Sequence, residues 1–582
     1  MKRVFSLMIA FAMLLTLAAC GGDDTAVSDV AEAAPNVVEM LDTDWYKDTP
    51  AQPGDVTQLP ERAVYVELSN AADEKAGITV TNDIVYYEAG RDFTYGEGSA
   101  EDEHSAEEAA EHTVVTITKA GTYVLSGTLG RGQIAVDLGK DAKEDPNAVV
   151  TLVLNGVDVT CTVAPAVIFY NVYECGSDDV DTASYKVDTS AAGANVVIPD
   201  GSINQVRGSY VARIYKSVEL SDDGKEVVAS KKLHKYDAAF YSKMSMNING
   251  GADNSGVLNI VAENEGLDSE LHLTMNGGYV VINAGNDGIN TNEDGVSVTT
   301  VNGGTLDIRC TGSTGEGDGI DSNGWLVING GRVYAQACAT SMDSGIDSDM
   351  GIYLNGGTVI ASGNMLDRIT GGSATYAVFS FREALKAGQH VYLKDMDGNL
   401  FMHSYMRNGG NNLIFAVDGM AAGDYTLWVD DVQMAHGGSM MGGMGFGGGR
   451  PNMGGFDPSQ MQNFDPSKLE GMERPEGFDR GQMGGMEMPE GFDRSQMGGM
   501  EMPEGLDRSQ MGDMKIPNDF DFGIVGGMPE GMELPEGMEM PQGGMDFGGR
   551  GQNGVSGELS EVFTIAEGGN RFSGITKYVP AE

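Results

Sequence analysis

The chain has 582 residues and a formal net charge of −50 at pH 7. This net charge excludes binding to nucleic acid or to anionic membrane surfaces through charge attraction, since both require basic patches on the protein. Acidic sugars are not excluded, because calcium can bridge two acidic polymers.

The N-terminus has the features of a secretion signal. Lys2 and Arg3 precede an apolar run at 4–17, which is too short for an ordinary transmembrane span. The sequence Leu17-Ala18-Ala19-Cys20 resembles a bacterial lipobox, in which the cysteine is lipidated. We therefore predict a signal peptide at 1–20, lipidation of Cys20 and a flexible tether at 21–60. The protein would be lipid-anchored to the cell membrane on its extracellular face.

Residues 61–250 contain short strand-like stretches and two polar stretches, at about 97–112 and 176–195, that are typical of loops. We predict that they form irregular first repeats and a cap. Cys161 and Cys175 lie here, and Cys310 and Cys338 follow about one repeat apart. Either pair could form a disulfide, and buried free thiols are the alternative.

From residue 249 the sequence is organised by the tripeptide Asn-Gly-Gly. No stretch of helical periodicity separates the copies, which begin 26 or 27 residues apart at Asn249, Asn276, Asn302, Asn329 and Asn355. A meander of hairpins need not keep so constant a step, whereas strand–turn–strand units stacked about 4.8 Å apart must. We therefore predict an all-β, right-handed parallel β-helix (solenoid) over 61–365, with Asn-Gly-Gly as its recurring turn.

A second motif recurs with the same period: glycine, isoleucine or leucine, aspartate or asparagine, then serine or threonine. Its copies begin at Gly266, Gly288, Gly319 and Gly345. The apolar residue should point inward and the acid outward. The second copy begins fourteen rather than ten residues before the next Asn-Gly-Gly, which predicts that it has shifted within its repeat.

The outward residues would form a row of acids on one corner of the fold. Like charges about 5 Å apart repel, and calcium, which takes six to eight oxygen ligands, would offset that repulsion. The leading predicted ligands are Asp318, Asp321, Asp343 and Asp347, and the second group is Asp287, Asn290, Asp268, Asn264 and Asp349. The alternative is that these are solvated acids in Asx-turns. No His or Cys clusters with them, which disfavours zinc.

The repeat stops after residue 365, but strand-like stretches continue. We predict a small terminal β-domain at 366–435, completed by 556–582. Between these parts, 436–555 is rich in Gly, Met, Pro and Glu, and holds a 14-residue repeat. We predict a disordered insertion there. Its methionines could bind Cu(I) or scavenge oxidants, although a flexible expanded repeat is the favoured interpretation.

Several of these stretches resemble the bacterial carbohydrate-binding parallel β-helix family. They are Gly121-Thr122-Tyr123-Val124-Leu125-Ser126-Gly127, Asp237-Ala238-Ala239-Phe240-Tyr241-Ser242-Lys243 and the Asp-Gly-Ile repeats. The resemblance covers about 113–365. It implies a pectate-lyase-like fold, bound calcium, and binding of cellulose or acidic plant polysaccharides. The family's Asp-rich motif falls on Asp287, Asp318, Asp321, Asp343 and Asp347, whereas Asn290 and Glu265 depart from it.

The leading functional hypothesis is a monomeric, surface-anchored protein that binds polysaccharide in a calcium-dependent manner without catalysis. Aromatic side chains that could stack on sugar rings are Trp325, Tyr353, Tyr279 and Tyr334, and core packing is an equal alternative for each.

Two other functions stay open. A calcium-dependent, pectate-type polysaccharide lyase would need a base beside the metal, and the candidates are Arg309, Arg332 and Lys243. None of the three belongs to a recognisable catalytic motif. The other possibility is a structural surface adhesin whose fold is stabilised by bound calcium.

Overall fold

The structure is a computed structural model, and it describes residues 38–40, 48–57, 59–60, 62–70, 77–90, 98–220, 227–417, 420–441 and 559–579. The predicted signal peptide, the lipidation at Cys20 and nearly all of the predicted insertion at 436–555 lie outside these residues.

The regular secondary structure of the described residues is almost entirely β-strand, which confirms the predicted all-β class. A short α-helix at Ala106–Ala110 and a 3₁₀ helix at Lys140–Glu144 interrupt the strands. No helix in the described ranges is both long and apolar enough to cross a membrane.

Most strands belong to three ladders in which a strand pairs with its counterpart in the neighbouring repeat. Ladder 1 has eight strands, parallel except for its first pair. They are Ile78–Thr81, Thr113–Ile117, Gly132–Asp137, Val167–Asn171, Ala238–Ser242, Glu265–Ser269, Ile289–Thr291 and Ile320–Ser322.

Ladders 2 and 3 share two long strands, Gly121–Leu129 and Val150–Thr160, and then diverge. Ladder 2 begins at Val64–Leu68 and continues as Ala194–Ile198, Met246–Gly250, His272–Met275, Val298–Val301, Trp325–Ile328, Gly351–Leu354 and Ile369–Gly371. Ladder 3 continues as Ile203–Gly208, Val257–Ala262, Tyr279–Ala284, Thr305–Cys310, Arg332–Gln336 and Thr358–Gly363.

The three ladders contribute their inward side chains to one hydrophobic core. Ladder 1 supplies a stack in which Leu267, Ile289 and Ile320 are in register and buried. The same core includes Leu326 of ladder 2 and Ile308 of ladder 3. The apolar position of the glycine–isoleucine motif therefore points inward, as predicted, and the acid that follows it points away from the core.

Asn-Gly-Gly forms the turn from ladder 2 to ladder 3. The second glycine has a positive φ in four copies, for example +79° at Gly304 and +74° at Gly331. The asparagines add a contact that the sequence did not predict, because after the first copy each side-chain amide donates to the side-chain carbonyl of the preceding copy. The Nδ2–Oδ1 distances run from 2.8 to 3.1 Å across Asn249, Asn276, Asn302, Asn329 and Asn355.

Replacing Gly331 with alanine should lower the free energy of unfolding by about 1–3 kcal/mol, the cost of holding an L-residue at positive φ. A Cβ at Gly331 would also lie 2.8 Å from the main chain of Gly303 and Gly304. Gly130→Ala is the control, since it places a Cβ where no atom lies within 4 Å. Urea unfolding of both variants tests this, and equal stability would show that the turn tolerates a side chain.

The chain after ladder 2 forms a second group of strands with its own hydrophobic cluster. Its described strands are Tyr376–Leu385, His390–Asp395, Leu400–Tyr405, Gly410–Val417, Gly423–Val429, Val432–Ala435, Gly438–Met441, Phe563–Ile565 and Gly569–Lys577. Gly410–Val417 pairs antiparallel with the last strand of ladder 3. A buried ion pair between Arg407 and Asp307 also joins this group to ladder 3.

Part of the predicted tether is bound to the fold, which corrects that prediction. The main-chain N–H of Gln52 donates to Ile203 at 2.8 Å, and that of Gly54 donates to the Asn155 side chain at 2.7 Å. Val38–Met40 pairs with Leu400–Tyr405. At the other boundary, Gly438–Met441 pairs with Gly569–Lys577, so the first residues assigned to the insertion are part of the sheet.

An antiparallel hairpin, Val211–Leu220 and Val227–Tyr236, departs from the repeat between ladders 3 and 1. It has no counterpart in the later repeats. Its last residues lead directly into the ladder 1 strand Ala238–Ser242, which brings Lys235 to the outer side of that ladder.

Candidate functional site

Acids and amides recur on the outer side of ladder 1 and in the turn that leads to it. Asp268, Asn290 and Asp321 are in register on adjacent strands, and Asp347 follows, with its main-chain N–H donating to Ile320 at 2.7 Å. Glu265, Asp287 and Asp318 occupy the position before the glycine of the same motif. We call these seven residues the acid row. Asp343, Asp349 and Asp367 flank it.

The second copy of the motif is not displaced, contrary to the sequence prediction. Ile289 pairs with Leu267 on one side and with Ile320 on the other. The preceding connection, 285–288, is short, whereas the following one, 292–297, is long. Turns of unequal length therefore account for the irregular spacing of the motif in the sequence. The strands stay in register because their apolar side chains are buried in the core.

Main-chain N–H groups fix several of the carboxylates. Asp287 Oδ1 accepts from the N–H of Asp318 at 2.7 Å, and Asp318 Oδ1 accepts from the N–H of Ser344 at 2.5 Å. Asp343 Oδ2 accepts from the N–H of Gly317 at 2.6 Å. Each turn is thus tied to the next through an acid, so these side chains hold the turns in place as well as carrying charge.

Other oxygens of the row are buried and lack a hydrogen-bond donor among the described residues. They are Glu265 Oε2, Asp268 Oδ2, Asn290 Oδ1 and Asp347 Oδ1, and Asp367 Oδ2 in the flank. A buried polar atom without a partner is costly, and a carboxylate oxygen in that state is a ready ligand for a cation.

Burial is the main cause of strongly raised pKa values in the row. It raises the pKa of Asp318 to about 8, of Asp347 to about 7 and of Asp321 to about 6, and neighbouring carboxylates raise each further. The pKa values of Asp287 and Asp268 are also raised well above the ordinary range by burial and by nearby acids. Ionisation of these carboxyl groups is therefore energetically unfavourable unless a cation lies nearby.

Lys235 supplies such a cation at one end of the row. Its side chain is 9% exposed, donates to Asn292 Oδ1 and lies 3.8 Å from Asp237 Oδ2. Its positive charge acts on Glu265 and Asp268 and lowers their pKa values against the larger effect of burial. Sequence reasoning missed Lys235 because it comes from the hairpin, which lies outside the repeat.

The other end of the row has a different environment. The charged groups that act on Asp318 and Asp347 are other carboxylates, and they raise both pKa values. The donor set there is carboxylate and main-chain oxygen, which suits calcium. No group of three or more His, Cys, Asp or Glu in the described ranges is already gathered around one point. An ion would therefore need amide or carbonyl oxygens as well as paired acids.

The four predicted aromatic residues do not all share one surface. Trp325 and Tyr353 lie on the same outward face of ladder 2, where Tyr353 is in register with Val327, two residues along the strand from Trp325. The ring of Tyr353 is stacked on Tyr185 at 4.0 Å between centroids, so one face is covered. Tyr279 lies on ladder 3 and is half-buried.

Tyr334 is a correction to the predicted sugar-stacking set. It is 6% exposed and packs in the hydrophobic cluster of the terminal strands, together with Ile360 and Phe379. It occupies the outward position of ladder 3, where the terminal strands cover it. Core packing, the alternative considered from the sequence, is its observed role.

The candidate lyase bases are dispersed. Arg309 and Arg332 lie on ladder 3, and Arg309 Nε donates to Asn408 Oδ1 at 3.1 Å. Lys243 follows a ladder 1 strand, with its ammonium 5.9 Å from the ring centroid of Tyr236.

The four described cysteines are free thiols, Cys161, Cys175, Cys310 and Cys338.

The ladders and the acid row together define an all-β repeat protein with an unusually acidic corner. A family model described as carbohydrate-binding domain-containing protein matches residues 111–401, which is half of the chain. The chain belongs to this family. The matched range includes the whole acid row and most of the three ladders.

A solved structure that the chain resembles is that of a polysaccharide lyase-like protein from C. thermocellum, in a gadolinium derivative. It is 20% identical, and the match covers 53% of this chain and 98% of that chain, with a TM-score of 0.28. A TM-score this low does not establish a shared arrangement of the chain. No curated protein matches the chain.

Proposed function

We propose that the protein is a non-catalytic, calcium-dependent polysaccharide-binding protein built on a right-handed parallel β-helix. Membership of a carbohydrate-binding family supports the polysaccharide ligand. The observation that supports calcium binding is the environment at one end of the acid row. Asp318 and Asp347 are buried there, have raised pKa values, and are surrounded by other carboxylates rather than by cations. Paired acids there, with Asp343 and Asp349 as flanking candidates, would hold the ion together with amide or main-chain oxygens.

Calcium would act in two ways in this proposal. It would neutralise the row and hold the turns in register, and it would accept a carboxylate from an acidic sugar as a further ligand. Asp287, Asn290 and Asp268 would contribute at the other end, where Lys235 already supplies a positive charge. Lipidation of Cys20 would hold the protein at the extracellular face of the cell membrane as a monomer.

Binding and cleavage can be tested in one assay with purified protein that begins after Cys20. Polygalacturonate is incubated with it in calcium and, separately, in EDTA, and both pull-down and the absorbance of unsaturated products are followed. We expect pull-down in calcium, its loss in EDTA and no new absorbance. Asp318→Asn with Asp347→Asn should abolish pull-down in calcium.

Each alternative has its own outcome. New absorbance would overturn the non-catalytic proposal in favour of the lyase, and Lys243→Gln would then test the base. Pull-down that survives EDTA would overturn calcium bridging. Absence of binding to polygalacturonate and to cellulose, together with calcium-dependent stability, would favour the structural adhesin.

A further inference from the structure

An open groove of about 580 Å³ runs along the corner where ladder 1 leads into ladder 2. Its lining includes Lys143, Glu174, Lys243, Glu270 and Glu293. These follow five successive ladder 1 strands, which are paired in register. At about 4.8 Å per strand the groove is roughly 19 Å long, and its direction follows the stack of repeats. A groove of this form suits a linear polymer better than a compact small molecule.

Two ammonium groups of the groove have no carboxylate partner among the described residues. Lys143 is exposed on the 3₁₀ helix, and Lys243 is half-buried with the ring of Tyr236 beneath it. Lys235 also lines the groove, but its charge is taken up by Asp237 and the acid row.

The carboxylates in the interior of the groove are engaged by the protein. Glu174 accepts from the N–H of Gly176 at 2.7 Å and from the N–H of Ser245 at 2.6 Å. Glu270 accepts from the hydroxyl of Tyr241. The other acids, Glu144, Asp178 and Glu293, are exposed on the rim. The lining as a whole has five carboxylates and three ammonium groups, so the groove is not a positive field. Lys143 and Lys243 are the groups in it that can pair directly with a carboxylate of a ligand.

We propose that this groove is a binding site for a linear acidic polysaccharide, whose carboxylates pair with Lys243 and Lys143. The inference rests on the proposed function and adds a site for the polymer that is separate from the acid row. Lys235 lies between the two, so a chain in the groove would pass beside the acid row. A charge-assisted hydrogen bond is stronger than a neutral one and favours a uronate over a neutral sugar at these positions.

The test compares variants by titrating hexagalacturonate and, as a neutral probe, cellohexaose, in calcium at low salt. We expect Lys243→Gln to weaken hexagalacturonate binding about tenfold, and the double variant Lys143→Gln with Lys243→Gln to weaken it further. Lys140→Gln is the matched control, because Lys140 begins the same 3₁₀ helix and does not line the groove. Raising the salt concentration should weaken binding by the unaltered protein more than by the double variant.

The outcomes separate the groove from the proposed function. If the unaltered protein binds hexagalacturonate and the lysine variants bind it equally well, the groove site is wrong while polysaccharide binding stands. If cellohexaose is bound as tightly and loses affinity in the same variants, the preference for an acidic sugar is wrong. If the unaltered protein binds neither probe, both proposals fail. A thermal unfolding curve for each variant shows that lost binding is not lost folding.

Discussion

In a chelating buffer, the free energy of unfolding should fall as the pH rises from about 4 to about 8. The folded-state pKa values of Asp321, Asp347 and Asp318 are about 6, 7 and 8, against an ordinary value of 3.8. In this window the folded protein therefore holds protons that the unfolded chain has released. Stability is fully present below the ordinary pKa and is lost as the pH passes the folded values.

The expected loss is large. A tenfold change in an ionisation constant corresponds to about 1.4 kcal/mol, so the three raised pKa values together correspond to a loss on the order of 10 kcal/mol by pH 8. Acids with lowered pKa values change their contribution below this window. Asp200, for example, has a pKa lowered by a hydrogen bond from the main chain of Asp253. His272, whose pKa burial lowers to about 4, adds stability as the pH rises to about 6.5, but the several acids with raised pKa values outweigh this single group. Urea unfolding in EDTA at pH 5, 6.5 and 8 measures the slope.

Calcium should offset part of this loss. It competes with protons for the same oxygens, so it should add little stability at pH 5 and most at pH 8. One ion at a hundred times its Kd adds about 2.7 kcal/mol. Stability in EDTA that rises between pH 5 and 8 would contradict the assignment of the raised pKa values to the row.

General repulsion within so acidic a chain could also weaken the fold at high pH, and a matched pair of variants separates the two causes. Asp318→Asn with Asp347→Asn removes two acids of the row and should flatten the slope. Asp141→Asn with Asp253→Asn removes the same charge from exposed positions and should leave it unchanged. Equal slopes in both variants would assign the effect to net charge.

The parts of the fold that follow the repeat could be predicted from the sequence. Alternation of apolar and polar residues identified the strands, and the constant step indicated which residues recur at equivalent positions. The acids at 268, 321 and 347 could be placed on one outer face because each follows a buried apolar residue. These inferences are local, since they depend on side-chain alternation along a strand.

The errors arose where distant parts of the chain meet. The second motif kept its register because longer and shorter turns offset each other, which spacing alone does not reveal. Tyr334 is outward on its strand, yet the terminal strands bury it. Lys235 reaches the acid row from a hairpin that interrupts the repeat. No local pattern in the sequence predicts any of these contacts, because each depends on how separate segments pack.

Replacing Lys235 with methionine should lower the free energy of unfolding by about 3–5 kcal/mol at pH 8 in EDTA, the usual cost of breaking a buried ion pair from one side. Methionine retains the apolar length of lysine, but it leaves Glu265 and Asp268 buried without the ammonium group, with Arg213 as the other cation that acts on Glu265. The loss should be smaller at pH 5, because both acids have raised pKa values and can bind a proton in place of the ammonium charge. Lys140→Met is the control, since Lys140 is exposed, and it should change stability by less than about 0.5 kcal/mol.

Calcium adds a second readout to the same variant. If Lys235 substitutes for a metal ion at its end of the row, then its removal leaves Glu265, Asp268 and Asn290 with buried oxygens free to bind one. Titration of the variant with calcium at pH 8 should then recover part of the lost stability, and direct calorimetry should detect more bound calcium than in the unaltered protein. A variant as stable as the unaltered protein in EDTA would show that the ammonium group does not compensate the row. A destabilised variant that gains nothing from calcium would restrict metal binding to the Asp318 and Asp347 end.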